Sequence, residues 1–199
     1  MRRSLLLAVA FTTGPGVPLP AQTDLYARAG LTYSTNLIKD FAFQEITVRP
    51  ALAPTLTLGA SLPMTPTYRI GLEGSLTTAG FHSTEADVET DLGTLRTGSL
   101  LLALEGPLAW RLSWRGGLGV IHYWPAEKSG IFFQGGPSRF LAGGGVDYRS
   151  RVMSGWDLLA SLRYDFHRFT TEELRLRGFA GSQGVQRISA SVGLARGRR

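Results

Sequence analysis

Segment 156–166, Trp-Asp-Leu-Leu-Ala-Ser-Leu-Arg-Tyr-Asp-Phe, alternates strictly, and this period of two constrains the chain more than any other feature in it. In an extended strand Trp156, Leu158, Ala160, Leu162, Tyr164 and Phe166 share one face, while Asp157, Leu159, Ser161, Arg163 and Asp165 share the other. At about 3.3 Å per residue and a tilt of about 40°, such a segment covers roughly 27 Å along a membrane normal, close to the hydrocarbon thickness of a bilayer. The alternation alone does not say which face is wet. A soluble sandwich or a lipocalin-like barrel carries the same pattern with its apolar face turned inward.

The first residues narrow the choice. Met1-Arg2-Arg3, a short apolar run from Leu5 to Phe11, and a Pro/Gly-rich stretch ending at Pro20-Ala21 predict a signal peptide over residues 1–21 and one mature domain over 22–199. No segment holds the ~20 continuous apolar residues of a membrane helix, so any membrane span must be β. The chain has no cysteine, which excludes a disulfide framework, a thiol nucleophile and a lipid-anchored N-terminal cysteine. Removing Arg2, Arg3, Arg196, Arg198 and Arg199 from the net charge of +6 leaves about +1, so the basic balance gives no support to nucleic-acid binding.

Segments of the same kind recur along the mature chain. Residues 25–34, 51–62, 68–76, 95–105, 110–120, 140–148, 156–166 and 188–195 each read as a strand with one apolar face. In the fourth, the run Leu100-Leu101-Leu102 breaks the alternation, although Leu100, Leu102 and Leu104 can face out while Thr97, Ser99, Ala103 and Glu105 face in. The fifth sets Trp110, Leu112, Trp114, Leu118 and Val120 against Arg111, Ser113 and Arg115. Connections 63–66, 106–107 and 149–155 are short, whereas 35–49, 78–91, 125–138 and 170–183 are long. Short periplasmic turns alternating with long external loops are the order of an even-stranded outer-membrane barrel with both termini in the periplasm. The expected fold is therefore all-β, a closed antiparallel up-and-down transmembrane β-barrel of eight strands in the cell outer membrane.

This assignment of faces puts Arg28, Arg69, Arg111, Arg115 and Arg163 inside with Glu73, Glu105, Asp147, Asp157 and Asp165. Five basic groups meet five acidic ones, and buried charges are tolerable only when paired. An eight-stranded barrel is narrow enough for such side chains to link across it, so a plugged interior and no open pore are expected. The lipid-facing sides carry Trp or Tyr near their ends, as interfacial girdles require.

With these strands, loops and girdles in place, the chain resembles the small outer-membrane β-barrels of the OmpA/OmpX type over about residues 25–194, in pattern rather than in any motif. The resemblance implies a monomeric barrel in contact with the lipid bilayer and lipopolysaccharide, inserted by the outer-membrane assembly machinery, and it carries no catalytic residue across. Such barrels end in an aromatic strand with a terminal Phe, whereas here Ser191-Val192-Gly193-Leu194-Ala195 leads into Arg196-Gly197-Arg198-Arg199.

Sites for chemistry are sparse. His82, His122 and His167 fall in or near three different external loops and could converge at the rim, where a lipid A-modifying enzyme would need its acid/base group. His82-Ser83-Thr84-Glu85 lacks the His-x-Ser spacing of the deacylase-like barrels. Glu85, Asp87, Glu89 and Asp91 concentrate carboxylates in the second long loop, without the glycine and bidentate geometry of a calcium loop. Tyr123, Trp124, Ile131, Phe132 and Phe133 flank Glu127-Lys128-Ser129-Gly130 and read as an aromatic hairpin above the membrane, either an outer girdle or an adhesive surface for an extracellular ligand. No catalytic, cofactor-binding or metal residue is expected. The function that follows is a structural or surface-interaction protein and not an enzyme. The alternatives are a rim-active lipid A-modifying enzyme and a soluble lipocalin-like periplasmic carrier.

Overall fold

The computed structural model describes residues 23–40, 46–85, 88–127, 130–176 and 182–196. The expected signal peptide, 1–21, lies outside them. Ten antiparallel strands follow in chain order: β1 (Asp24–Ser34), β2 (Ile38–Asp40), β3 (Ile46–Pro50), β4 (Ala53–Pro63), β5 (Arg69–Glu85), β6 (Val88–Ala109), β7 (Leu112–Pro125), β8 (Ser138–Met153), β9 (Trp156–Phe169) and β10 (Gln183–Arg196). A short helix, α1 (Glu172–Leu176), sits in the last loop, and a 3-10 turn spans Gly130–Phe132. No helix among the described residues is long and apolar enough to cross a membrane.

Eight of the strands close a ring in the order β1, β4, β5, β6, β7, β8, β9, β10 and back to β1. The seam between first and last strands is fully registered, from Tyr26 opposite Ala195 to Ser34 opposite Arg187. Closure leaves no barrel edge unpaired, which is what a spanning sheet requires in a medium without water. Strands β2 and β3 form a hairpin extension of the wall, with β3 continuing onto β5 above β4.

The period of two holds all round the ring. In β1 the inward side chains Tyr26, Arg28, Thr32 and Ser34 are buried while Leu25, Leu31 and Tyr33 are exposed. Leu101 turns inward and is 1% exposed, between Leu100 and Leu102 at 48% and 58%, so the Leu triplet keeps the alternation rather than breaking it. Leu56, Leu72, Leu118, Leu162 and Val192 extend the exposed aliphatic belt across neighbouring strands, each at least half exposed. Each such side chain left in water forgoes about 1.5–3 kcal/mol of burial, and a continuous belt of them is stable only against lipid. Aromatics rim the belt: Tyr68, Trp110, Tyr148 and Trp156 at the end with short turns, and Tyr33, Trp124, Phe140 and Tyr164 at the end with long loops. Tyr68 and Trp114 meet across Gly106, where an added Cβ would lie 2.7 Å from both rings, so only glycine permits this contact.

Most strands run past their predicted ends, the expected loop 35–49 holds β2 and β3, and three connections differ most from those the sequence predicts. The connection expected at 106–107 lies at Trp110-Arg111, because β6 runs on through Pro107 with an irregularity between Pro107 and Ala109. Trp110 is consequently 91% exposed at a turn instead of lying on a strand face. Arg111, expected inside, is exposed at the rim and donates to Tyr148 Oη at 3.3 Å and Ser150 Oγ at 3.0 Å. The expected long loop 78–91 is mostly strand, with β5 and β6 paired as far as Glu85 and Val88. Its threonines, Thr78, Thr84 and Thr90, favour extended backbone. Finally β8 continues to Met153, leaving Ser154-Gly155 as the turn, where Gly155 takes φ +81°.

Candidate functional site

The ring points its polar alternate residues into one lumen, and these sort into layers. At the turn end Asp24, 2% exposed, pairs with Arg149, which also reaches Asp157 at 3.5 Å. In the middle, three guanidiniums converge on one carboxylate. Arg28, Arg115 (2.8 Å) and Arg163 all contact Glu73, and the Tyr26 hydroxyl donates to the same group at 2.8 Å. Three of these contacts fall on Oε2 and one on Oε1, so both oxygens of Glu73 are engaged. Asp147 bridges Arg28 at 3.0 Å and Arg115 at 2.9 Å, and accepts from Ser161 at 2.5 Å. Glu105 lies 3.2 Å from Arg115, and Asp165 lies 3.0 Å from Arg163. Charges from β1, β5, β6, β7, β8 and β9 are thus tied across the full width of the ring. In a low-dielectric interior this mutual pairing is the condition for keeping them ionised.

Above the ions is a layer of hydroxyls. Thr32 and Thr55 share a hydrogen bond at 2.6 Å, Thr55 and Thr77 one at 2.9 Å, Thr32 and Ser189 one at 2.8 Å, and Ser75 and Ser99 one at 2.7 Å. Arg187, 5% exposed, donates to Thr77 at 3.0 Å. Two internal cavities of about 20 Å³ each lie in this layer, with Thr32 and Arg187 lining both.

The loop end carries an apolar cap. Tyr123, Phe132 and Phe169 are each 1–2% exposed and pack on one another, Tyr123 and Phe132 stacked and Phe169 edge-on to both, with ring centroids 5.2–6.3 Å apart, and Phe81 meets Phe132 at 5.7 Å. Leu37, Ile38 and Val48 come in from the β2–β3 hairpin, and Leu174 from α1. Tyr123 and Phe132 therefore do not form the exposed aromatic hairpin expected of them. The chain leaves β7 at Pro125 and its 3-10 turn directs Phe132 inward, while Trp124 and Phe133 remain exposed.

The three histidines do not converge. His82 lies on the outer side of β5, 3.9 Å from both Glu89 and Asp91. His122 is also on the outer side, bonded to Ser138 at 2.8 Å and packed on Trp124 at 4.6 Å. His167 points inward, is 1% exposed and bonds Tyr123 beneath the cap. Among the described residues no three His, Cys, Asp or Glu side chains come together as a metal site. The side chains of Glu85 and Asp87 lie outside the described residues.

Three lumen residues escape the sequence expectation: Asp24, Arg149 and Arg187. Each lies just beyond a predicted strand end, in phase with inward neighbours, and extending the alternation by two residues would have found it.

Neither a protein-family model nor a curated protein matches the sequence. Among solved structures, Neisserial surface protein A is 12% identical, with 88% of this chain and 96% of that one covered and a TM-score of 0.52. The outer membrane protein AlkL, determined in lipid bilayers, is 14% identical, with 88% and 90% covered and a TM-score of 0.57. The fold is that of a small outer-membrane β-barrel. With its exposed apolar belt and paired girdles, this barrel sits in the outer membrane. At such low identity the likeness extends to architecture, and the ion layer and cap are properties of this chain's own residues.

Proposed function

We propose that residues 22–199 form a single monomeric barrel domain whose interior is a plug and whose role is structural and surface-interacting, not catalytic. The observation that carries this reading is the convergence of Arg28, Arg115 and Arg163 on Glu73, with the apolar cap above it. A lumen crossed by linked ion pairs and closed by packed aromatics supports an interior without a continuous aqueous path. The chemistry of a hydrolytic rim site is not assembled among the described residues, since His82 and His122 face outward and His167 is buried.

Around the loop end, exposed Arg49, Arg96 and Arg168 alternate with buried neighbours and so face away from the lumen, at the level where lipopolysaccharide phosphates lie. They support contact with that lipid. Export through residues 1–21 and insertion by the outer-membrane assembly machinery complete the proposal.

Planar-bilayer recording tests the plug. The purified barrel is expected to give no steady conductance, and a stable large conductance would overturn the closed-interior reading. Carbonate washing tests placement, since release without detergent would rule out a spanning barrel. Mass spectrometry of lipid A from cells with and without the protein tests the non-catalytic role, for which an unchanged profile is expected.

A further inference from the structure

A groove of about 790 Å³ opens on the outer wall at the periplasmic end, lined by Leu25, Ala27, Trp156 and Leu194 with Arg196 at its edge. Strand register explains it. Arg196 lies directly opposite Trp156, and Ala27 directly opposite Leu194, so three neighbouring strands present a tall apolar row beside a small residue. Ala29 continues the low line along β1 toward the membrane centre, with Val192 as its taller neighbour on β10. The result is a channel with aliphatic walls, an indole at one side and a cation at the interfacial mouth.

Charge at this rim has one sign on its surface. Among the described residues the exposed ionic side chains of the periplasmic end are Arg111, Arg151 and Arg196, whereas Asp24 and Asp157 there are 2% and 4% exposed and turned into the lumen. Among the described residues the exposed carboxylates, Glu89, Asp91, Glu127 and Glu172, are all at the opposite end. An apolar groove that runs up from an arginine-rich rim fits a molecule with an anionic head and a hydrocarbon tail.

Resting on the outer-membrane placement, we infer that this groove is a binding site for an anionic phospholipid of the periplasmic leaflet. Its phosphate is held at Arg196, its glycerol region lies against Trp156, and one acyl chain runs over Ala27 between Leu25 and Leu194. The guanidinium offers a bidentate face to phosphate, and the indole belongs at the same interfacial depth.

Brominated-lipid quenching of tryptophan fluorescence tests the site. A barrel carrying Trp110→Phe, Trp114→Phe and Trp124→Phe retains Trp156 alone, and a companion retains Trp124 alone. Both are reconstituted into phosphatidylcholine vesicles containing either brominated phosphatidylglycerol or brominated phosphatidylcholine at equal mole fraction. Heat-modifiable migration verifies folding of every variant. Trp156 is expected to be quenched as if phosphatidylglycerol were enriched about five-fold beside it, the factor one arginine gives near an anionic headgroup. Trp124, whose register partner is the exposed Arg96, serves as the reference for a rim arginine without a groove, and the preference at Trp156 is expected to exceed the one seen there. Arg196→Gln should remove the preference at Trp156, and Ala27→Leu, which fills the groove without touching charge, should reduce it as well. Equal quenching of Trp156 by the two lipids, or a preference that survives Arg196→Gln, overturns the site. Quenching of Trp124 without any quenching of Trp156 also overturns it, because a segment of the chain then occupies the groove. If neither tryptophan is quenched, the membrane placement itself fails.

Discussion

Glu73 is the residue on which the interior turns. Its carboxylate is 2% exposed and answers three arginines and a tyrosine. Glu73→Ala leaves those guanidiniums facing one another in a dry lumen, and removing one partner of a buried pair costs roughly 3–5 kcal/mol. Urea unfolding in lipid vesicles measures this loss, and Glu73→Gln, which keeps an acceptor, should fall between the alanine variant and the parent. A loss for Glu73→Ala no larger than a surface substitution would show that the lumen is hydrated enough to screen the arginines. Gly59 tests the same layer by volume. An added Cβ there would sit 2.2 Å from the Tyr26 ring, so Gly59→Val should displace Tyr26 and cost about 1–3 kcal/mol by overpacking.

At the scale of elements, the walls were legible in the sequence and the connections were not. Alternation marked all eight ring strands, because the pleat forces every second side chain to the same side whatever the distant partners are. Turn positions depended on where pairing happens to stop. Nothing local to Gly106-Pro107 says that β6 continues past it, and Arg111 was therefore placed inside when it lies at a turn. The apolar cap was invisible for a different reason: Phe81, Tyr123 and Phe169 stand on strand extensions beyond the predicted ends, and Phe132 reaches them from a loop whose path has no sequence period. The loops thus contribute packing as well as solvation. Phe132→Ala should cost about 3–5 kcal/mol if the cap packs like a protein core. Hydrogen exchange would register it as lost protection at Leu37, whose amide bonds the Val48 carbonyl at 2.8 Å. Unchanged exchange there would show that the loop holding Phe132 and the β2–β3 hairpin are independent.

For the whole molecule, closure of the ring predicts migration on detergent gels that changes only on boiling, since a sheet without edges resists detergent that opens soluble folds. A single band at the unfolded position before boiling would contradict a closed barrel. The seam between β1 and β10 has a further meaning for how the molecule comes into being. Arg28 pairs in register with Gly193, far apart in the chain, so the contact that completes the wall joins the first ring strand to the last. Until β10 is delivered, both β1 and β9 present open backbone rows in a setting that offers them no other partner. A wall still open at this seam exposes two unpaired edges, and closing it removes both at once.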